Sequence, residues 1–225
     1  MSNPSPIELP FSRKYDREHA NDYLHKHQDG LARRLSHWRD EQQARHALKL
    51  AGDPDLVLDL PCGAGRFWPL LAEHPSRVIF AADNSADMLA IAEAAQPPEV
   101  VKRVKTFQTS AFDINMGDNA VDSIFCMRLL HHIAEPAHRL AMLSEFHRVT
   151  RDTLIVSLWV DGNYKAWKRK RLERRRPRAA NQNRFVVARG LIEAEFDQTG
   201  FDILDHSDFL PGYAMWRVYV LRKRG

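Results

Sequence analysis

Cysteine is scarce in this 225-residue chain, which has two, Cys62 and Cys126. Two thiols so far apart lack the close spacing of a zinc-ligand pair and cannot form a staple framework, which points to a reducing compartment. Also missing is any apolar run near the roughly 18 residues that a membrane span needs. The opening stretch, MSNPSPIELPFSRKYDREH, has no basic end followed by an apolar segment, so the expectation is a soluble, unexported, cytoplasmic protein. No internal repeat is present. With 44% hydrophobic and 28% charged residues, the composition excludes collagen-like, coiled-coil and wholly disordered chains.

The formal charge of +4 is unevenly placed: KAWKRKRLERRRPR, residues 165–178, holds nine basic residues and one acidic one. A local basic device on a slightly acidic body argues for one anionic partner site rather than general nucleic-acid coating. Its bland alternative is a solvated face that serves solubility.

Along the chain, residues 1–30 read as a polar, proline-containing arm or lid, and 31–225 as the main domain, with a basic lid insertion at about 161–185. From Leu31 the apolar positions Leu31, Leu35, Trp38, Ala44 and Leu48 suggest one long amphipathic helix, ended by Gly52 and Pro54. Then LVLDL, VIFAA, RVKTFQ, VDSIFCM and TLIVSLW alternate with helical segments. Continuous apolar runs suit strands buried on both faces of a parallel sheet. This predicts a doubly wound, Rossmann-like α/β fold with helices on both faces. After a helix in VARGLIEAEFDQT and a turn at Gly200, FDILDH and WRVYVLRK are joined by a short loop, so the last strand should be antiparallel.

The sharpest local signal is LVLDLPCGAG, residues 56–65. Gly63 and Gly65 permit close backbone approach of a ligand, and Asp59 supplies an acceptor at the strand end. The structural alternative is a tight strand-to-helix turn. A P-loop requires lysine and then Ser or Thr after the second glycine, where Arg66 and Phe67 stand, and a dinucleotide fingerprint needs a glycine where Trp68 stands. The next strand ends in Asp83, 24 residues after Asp59, at the position that holds a ribose diol in such folds. Asp83 could also cap the following helix, a role that Asn84 or Ser85 can take over.

In this order the motifs resemble those of the class I S-adenosylmethionine-dependent methyltransferases, and are similar to those of the small bacterial ubiquinone/menaquinone-biosynthesis enzymes. LVLDLPCGAG looks like the first motif, AADNSADML the second, TSAFDINMGDNAVDSIFCMRLLHHI the third and fourth, and DQTGFDIL the late helix-to-strand turn. The resemblance implies a seven-stranded sheet with an antiparallel last strand and S-adenosylmethionine as cofactor. By carry-over, Asp59, Gly63 and Gly65 would face its methionine part and Asp83, with Asn84 beside it, the ribose. Ser110, Ala111 and Phe112 would surround adenine, and Cys126, Met127 and Arg128 would flank the cofactor. Two departures stand out: Pro61 replaces the usual first glycine, and Ser110 an aspartate that often receives the adenine amino group.

For such chemistry, placement of a nucleophile matters most and a base is optional. His131 and His132 follow the fourth strand, where the family builds its substrate pocket; adjacent side chains on a helix diverge by about 100°, so at most one should face the substrate. Tyr23, with Tyr15, His25 and His27, lies in the arm. Tyr164 and Trp167, with Arg174, Arg175 and Arg176, sit where a substrate lid would start, with packing against the body as the alternative. Neither His25/His27 nor His131/His132 has the i,i+4 spacing of a helical metal site, so no metal is expected. The reading is a methyltransferase acting on a small or medium anionic acceptor, either a small molecule or a glycolipid-like one. The alternatives are an RNA methyltransferase gripping phosphates with residues 165–178, and a non-catalytic cofactor-binding adaptor.

Overall fold

The computed structural model describes residue 7 and residues 31–173 and 183–225. Tyr15, Tyr23, His25, His27, Arg174, Arg175 and Arg176 lie outside the described residues. In chain order the elements are α1 (Leu31–Leu50), β1 (Leu56–Asp59), α2 (Trp68–Leu71), β2 (Val78–Asp83), α3 (Ala86–Ala95), α4 (Pro98–Val101), β3 (Val104–Gln108) and β4 (Val121–Cys126). A 3-10 turn (Leu130–His132), α5 (Pro136–Val149), β5 (Thr150–Trp159), α6 (Tyr164–Glu173), α7 (Arg189–Gln198), β6 (Phe201–Asp208) and β7 (Trp216–Lys223) follow.

The strands form one seven-stranded sheet in the order β3-β2-β1-β4-β5-β7-β6. β1 to β5 run parallel, and β7 pairs antiparallel with both β5 and β6. The expected architecture is therefore present. Side chains of a strand alternate between faces, and the central strands use both. Ile124, Cys126, Leu154, Val156 and Tyr219 face α5 and α7 through Phe146 and Phe196. Their neighbours Phe125, Ile155, Val218 and Val220 face α1 and α2 through Ala44, Leu48, Leu70 and Leu71. That double burial is why these strands read as unbroken apolar runs. The edge strands β3 and β6 are mostly half-buried or exposed.

Helix α1 corrects one expectation. Leu35 and Trp38 are exposed, at 65% and 53%, whereas the polar Asp40 and Gln43 are buried beside Ala44, Ala47 and Leu48. Burial of polar groups requires partners. Gln43 Nε2 donates to the Ser207 carbonyl at 2.9 Å and to its hydroxyl at 3.1 Å, and Asp40 receives two guanidiniums. On the opposite sheet face a buried, two-pronged ion pair links α5 to α7: Arg139 Nε and Nη2 donate to Glu195 at 2.8 and 2.6 Å.

The order of strands reverses between β1 and β4, since β1 leads outward to β2 and β3 while β4 leads to β5 on the other side. A crevice forms beyond the C-terminal strand ends at such a switch point.

Candidate functional site

The loops after β1, β2, β3 and β4 surround a cavity of about 320 Å³ at this switch point. This is within the size range of small-molecule sites, roughly 300–1,000 Å³. Its floor is the 60–64 turn, in which Gly63 adopts φ +54° and Pro61 follows a cis peptide bond. The left-handed φ at Gly63 suits glycine.

Asp83 ends β2 at the cavity wall. Its Oδ2 accepts the Gly63 amide at 3.0 Å and its Oδ1 accepts the Ser85 amide at 3.0 Å. One carboxylate thus ties the glycine turn to the start of α3. Burial raises its pKa above the ordinary carboxylate value, opposed by the amides of Ser85, Gly63 and Asn84. The helix cap itself is Ser85, whose hydroxyl accepts from the Met88 amide at 3.3 Å, so Asp83 is not committed to capping. Asn84 lines the cavity beside it.

On the far side stand Thr109, Ser110, Ala111 and Phe112. The Ser110 hydroxyl accepts from the Phe112 amide at 3.2 Å, which shapes this turn. Met127, Arg128 and Leu129 close the β4 side, and Ile7 reaches the cavity from the N-terminal stretch.

Three of the expected cofactor residues do not line the cavity. Asp59 is buried at 1% exposure, with Oδ2 lacking a hydrogen-bond partner. Burial holds its carboxyl well above the usual range, and the Asp83 charge raises it further. Gly65, at φ +69°, has a packing role: a Cβ there would meet the Trp68 ring at 2.8 Å. Cys126 is fully buried in the core, and burial pushes its thiol up.

The adjacent histidines occupy different environments. His132 lines the cavity, and its Nδ1 bonds to the Asn183 carbonyl. That bond makes Nδ1 the donor and leaves Nε2 as the basic nitrogen. Burial lowers its pKa below the ordinary histidine value. His131 is buried against Trp159 and Trp216, with ring centroids at 5.1 and 4.7 Å. Burial first, then its charged neighbours, pushes it down to about 2. Tyr164 and Trp167 lie on the exposed surface, away from the cavity lining.

The sequence reading missed Asp40, Arg66 and Ile7. Arg66 and Arg128 both line the cavity and both donate to Asp40 Oδ2, Arg66 Nη2 at 2.6 Å. Arg66 also reaches His37 Nδ1 at 3.1 Å. Arg128 takes a left-handed backbone, φ +65°, a conformation that costs a bulky residue about 1–2 kcal/mol. Its amide donates to Ser157 Oγ at 2.8 Å and its guanidinium lies 4.8 Å from the Trp216 ring, so several contacts hold it there. No local signal marked Asp40, because the face read as buried from Leu35 and Trp38 lies on the other side of α1 from it.

Comparison with known proteins agrees with this architecture. Residues 57–153 match a family model described as a methyltransferase domain. An uncharacterized protein of Synechococcus sp. is 34% identical over 113 residues, which is 48% of this chain and 27% of that protein. The chain thus spans about a quarter of the curated relative it matches. Among solved structures, magnesium protoporphyrin IX methyltransferase (ChlM) from Synechocystis PCC 6803 with bound SAH superposes with a TM-score of 0.76. It is 17% identical, covering 95% of this chain and 98% of ChlM. The same enzyme with bound SAM gives 0.71 at 17% identity, covering 99% and 100%. The (4+2)-cyclase SpnF gives 0.61 at 17% identity, covering 81% of this chain and 82% of SpnF. At these identities the structural likenesses show the fold.

Proposed function

We propose that this chain, whose residues 57–153 match a methyltransferase domain model, is a class I S-adenosylmethionine-dependent methyltransferase, that its cavity binds S-adenosylmethionine and that it methylates a small or medium anionic acceptor. The observation that carries this reading is the position of Asp83, which braces the Gly63 turn and faces the cavity at the end of the second strand. A carboxylate there is suited to a ribose diol.

The residues present fit the cofactor. Gly63 keeps the floor of the cavity open, Asp83 offers carboxylate oxygens, and the 109–112 turn with Phe112 offers an apolar and backbone surface for adenine. Arg66 and Arg128 bring two cationic guanidiniums to this wall, where both pair with Asp40. That sign suits the cofactor's carboxylate or an anionic acceptor.

When bound, the cofactor supplies an activated methyl group on a sulfonium. The chain's contribution is placement: a preorganised turn, a water-poor wall and a fixed approach for the acceptor. His132, neutral at pH 7 with its Nε2 basic, is the group that would take a proton from an acceptor hydroxyl or amine. His131, pushed down to about 2 and enclosed by Trp159 and Trp216, is a structural residue. Cys126 and Gly65 support the site from the core, and Asp59 shapes the base of the first loop. Ile7 adds an apolar contact to the cavity.

The ChlM structures support a small-molecule acceptor, since that relative acts on magnesium protoporphyrin IX. Fold alone does not decide the reaction. The decisive test is transfer from methyl-labelled cofactor into lipid, small-molecule, RNA and protein fractions of a cell extract. The reading expects label in the small-molecule or lipid fraction, reduced by Asp83→Ala at sub-saturating cofactor. Label in RNA would favour the RNA methyltransferase. Cofactor binding without transfer would favour an adaptor.

A further inference from the structure

We propose that the outer face of α6, together with the 210–213 turn, is a docking surface for an anionic lipid bilayer. This lies outside the cavity and does not depend on the methyl-transfer reading. Tyr164, Trp167, Leu172, Leu210 and Tyr213 are exposed at 44–56%. Single exposed apolar residues are ordinary, but contiguous ones mark interaction sites. Here the aromatics adjoin one another: Tyr164 stacks on Tyr213 at 5.7 Å and 12°, and lies 5.9 Å from Trp167.

The platform is fixed to the body. The Tyr164 and Lys165 amides donate to the Gly212 and Tyr213 carbonyls at 2.9 and 3.0 Å. Asn163 Oδ1 accepts the Ala166 amide at 2.9 Å, capping the helix, and Ala166 is buried beneath it. These contacts hold five aromatic and aliphatic side chains outward without ordering a loop on arrival.

The charge around this patch selects the partner. α6 has the sequence YKAWKRKRLE, five basic residues and one acidic. The lone acid, Glu173, is held by Arg169 at 2.8 Å. Among the described residues, Lys165, Lys168, Lys170 and Arg171 make no ion pair. Tyrosine and tryptophan rimmed by lysine and arginine are the chemistry of the bilayer interface, and each basic side chain near an anionic surface adds attraction. A single-stranded RNA is less well matched, because base stacking needs open ring faces. Tyr164 and Tyr213 already cover each other, Lys165 sits 5.1 Å over Tyr213, and Arg171 sits 5.6 Å over Trp167.

The surface is linked to the cavity wall. Arg169, on the inner side of α6, donates to the Arg184 carbonyl at 3.0 Å and lies 5.2 Å from the Trp159 ring. The neighbouring Asn183 carbonyl bonds His132. Docking would therefore set the orientation of the cavity relative to the bilayer.

The test is flotation of the full chain with phosphatidylcholine vesicles, with and without phosphatidylglycerol. The wild type should partition to the anionic vesicles at least about tenfold more strongly than to neutral ones, and lose this with added salt. Trp167→Ala/Tyr213→Ala should weaken partitioning by about tenfold through lost apolar contact. Lys165→Gln/Lys168→Gln should weaken it by roughly fivefold per charge. Both variants should keep the wild-type thermal midpoint and cofactor affinity. No preference for anionic vesicles would overturn the proposal, as would equal partitioning by wild type and both variants. Capture of a single-stranded RNA oligomer by the wild type but not the variants, with no vesicle binding, would replace it by an RNA-stacking surface.

Discussion

The Asp83 carboxylate accepts the Gly63 amide at 3.0 Å, joining the end of the second strand to the floor of the cavity. Because the same group faces the cavity, its replacement should act twice, by removing a ligand acceptor and by loosening the turn. Asp83→Ala is expected to weaken S-adenosylmethionine binding tenfold to a hundredfold, about 1–3 kcal/mol, by calorimetry. Burial raises its pKa, and the ionised form is the better acceptor. Affinity should therefore fall as pH drops through that raised value and level off above it, and Asp83→Asn should flatten the profile.

Asp40 is buried and shared by Arg66 and Arg128. Removing one partner from a buried ion cluster leaves uncompensated charge, at a cost of about 3–5 kcal/mol. Asp40→Ala should lower the thermal midpoint and weaken cofactor binding together. A variant that bound cofactor normally would show that the two arginines hold their places without it.

The two histidines should separate by experiment. His132→Asn is expected to reduce turnover about a hundredfold or more, the scale of a general base, with the thermal midpoint retained. His131 is pushed down to about 2 when folded, against an ordinary 6.5. The unfolded chain then takes up a proton below pH 6.5 that the folded chain refuses. Its contribution to stability is complete above that pH and is lost as pH falls toward 2, by up to about 1.4 kcal/mol per pH unit. His131→Phe should remove this part of the acid slope in denaturant titrations and leave turnover close to wild type.

Arg139 and Glu195 lie far along the chain from the glycine turn and form a buried pair between α5 and α7. Glu195→Gln should destabilise the fold by about 3–5 kcal/mol without changing cofactor affinity in the folded fraction. Chemical denaturation and calorimetry on the same sample measure both.

The sheet was legible in the sequence because β4 and β5 bury both faces, so their apolar runs are continuous. The glycine turn and Asp83 were legible because their spacing is local. The α1 face was misread because apolar content marks a buried face only when polar residues there lack partners. Asp40 and Gln43 find theirs across 88 and 164 residues, and no local pattern shows that. His131 and His132 could not be told apart by spacing, since Trp159 and Trp216, which enclose one of them, come from distant strands. Gly65 looked like a ligand glycine because its need for a positive φ is the same whether the reason is a cofactor or, as here, the Trp68 ring.

The central claim, that the switch-point cavity is an S-adenosylmethionine site, is tested most directly by calorimetric titration of the full chain with S-adenosylmethionine and its demethylated product. One equivalent of each should bind, in mutual competition, with both affinities reduced at least tenfold by Asp83→Ala. No heat of binding at millimolar ligand, or equal affinity in wild type and variant, would contradict it.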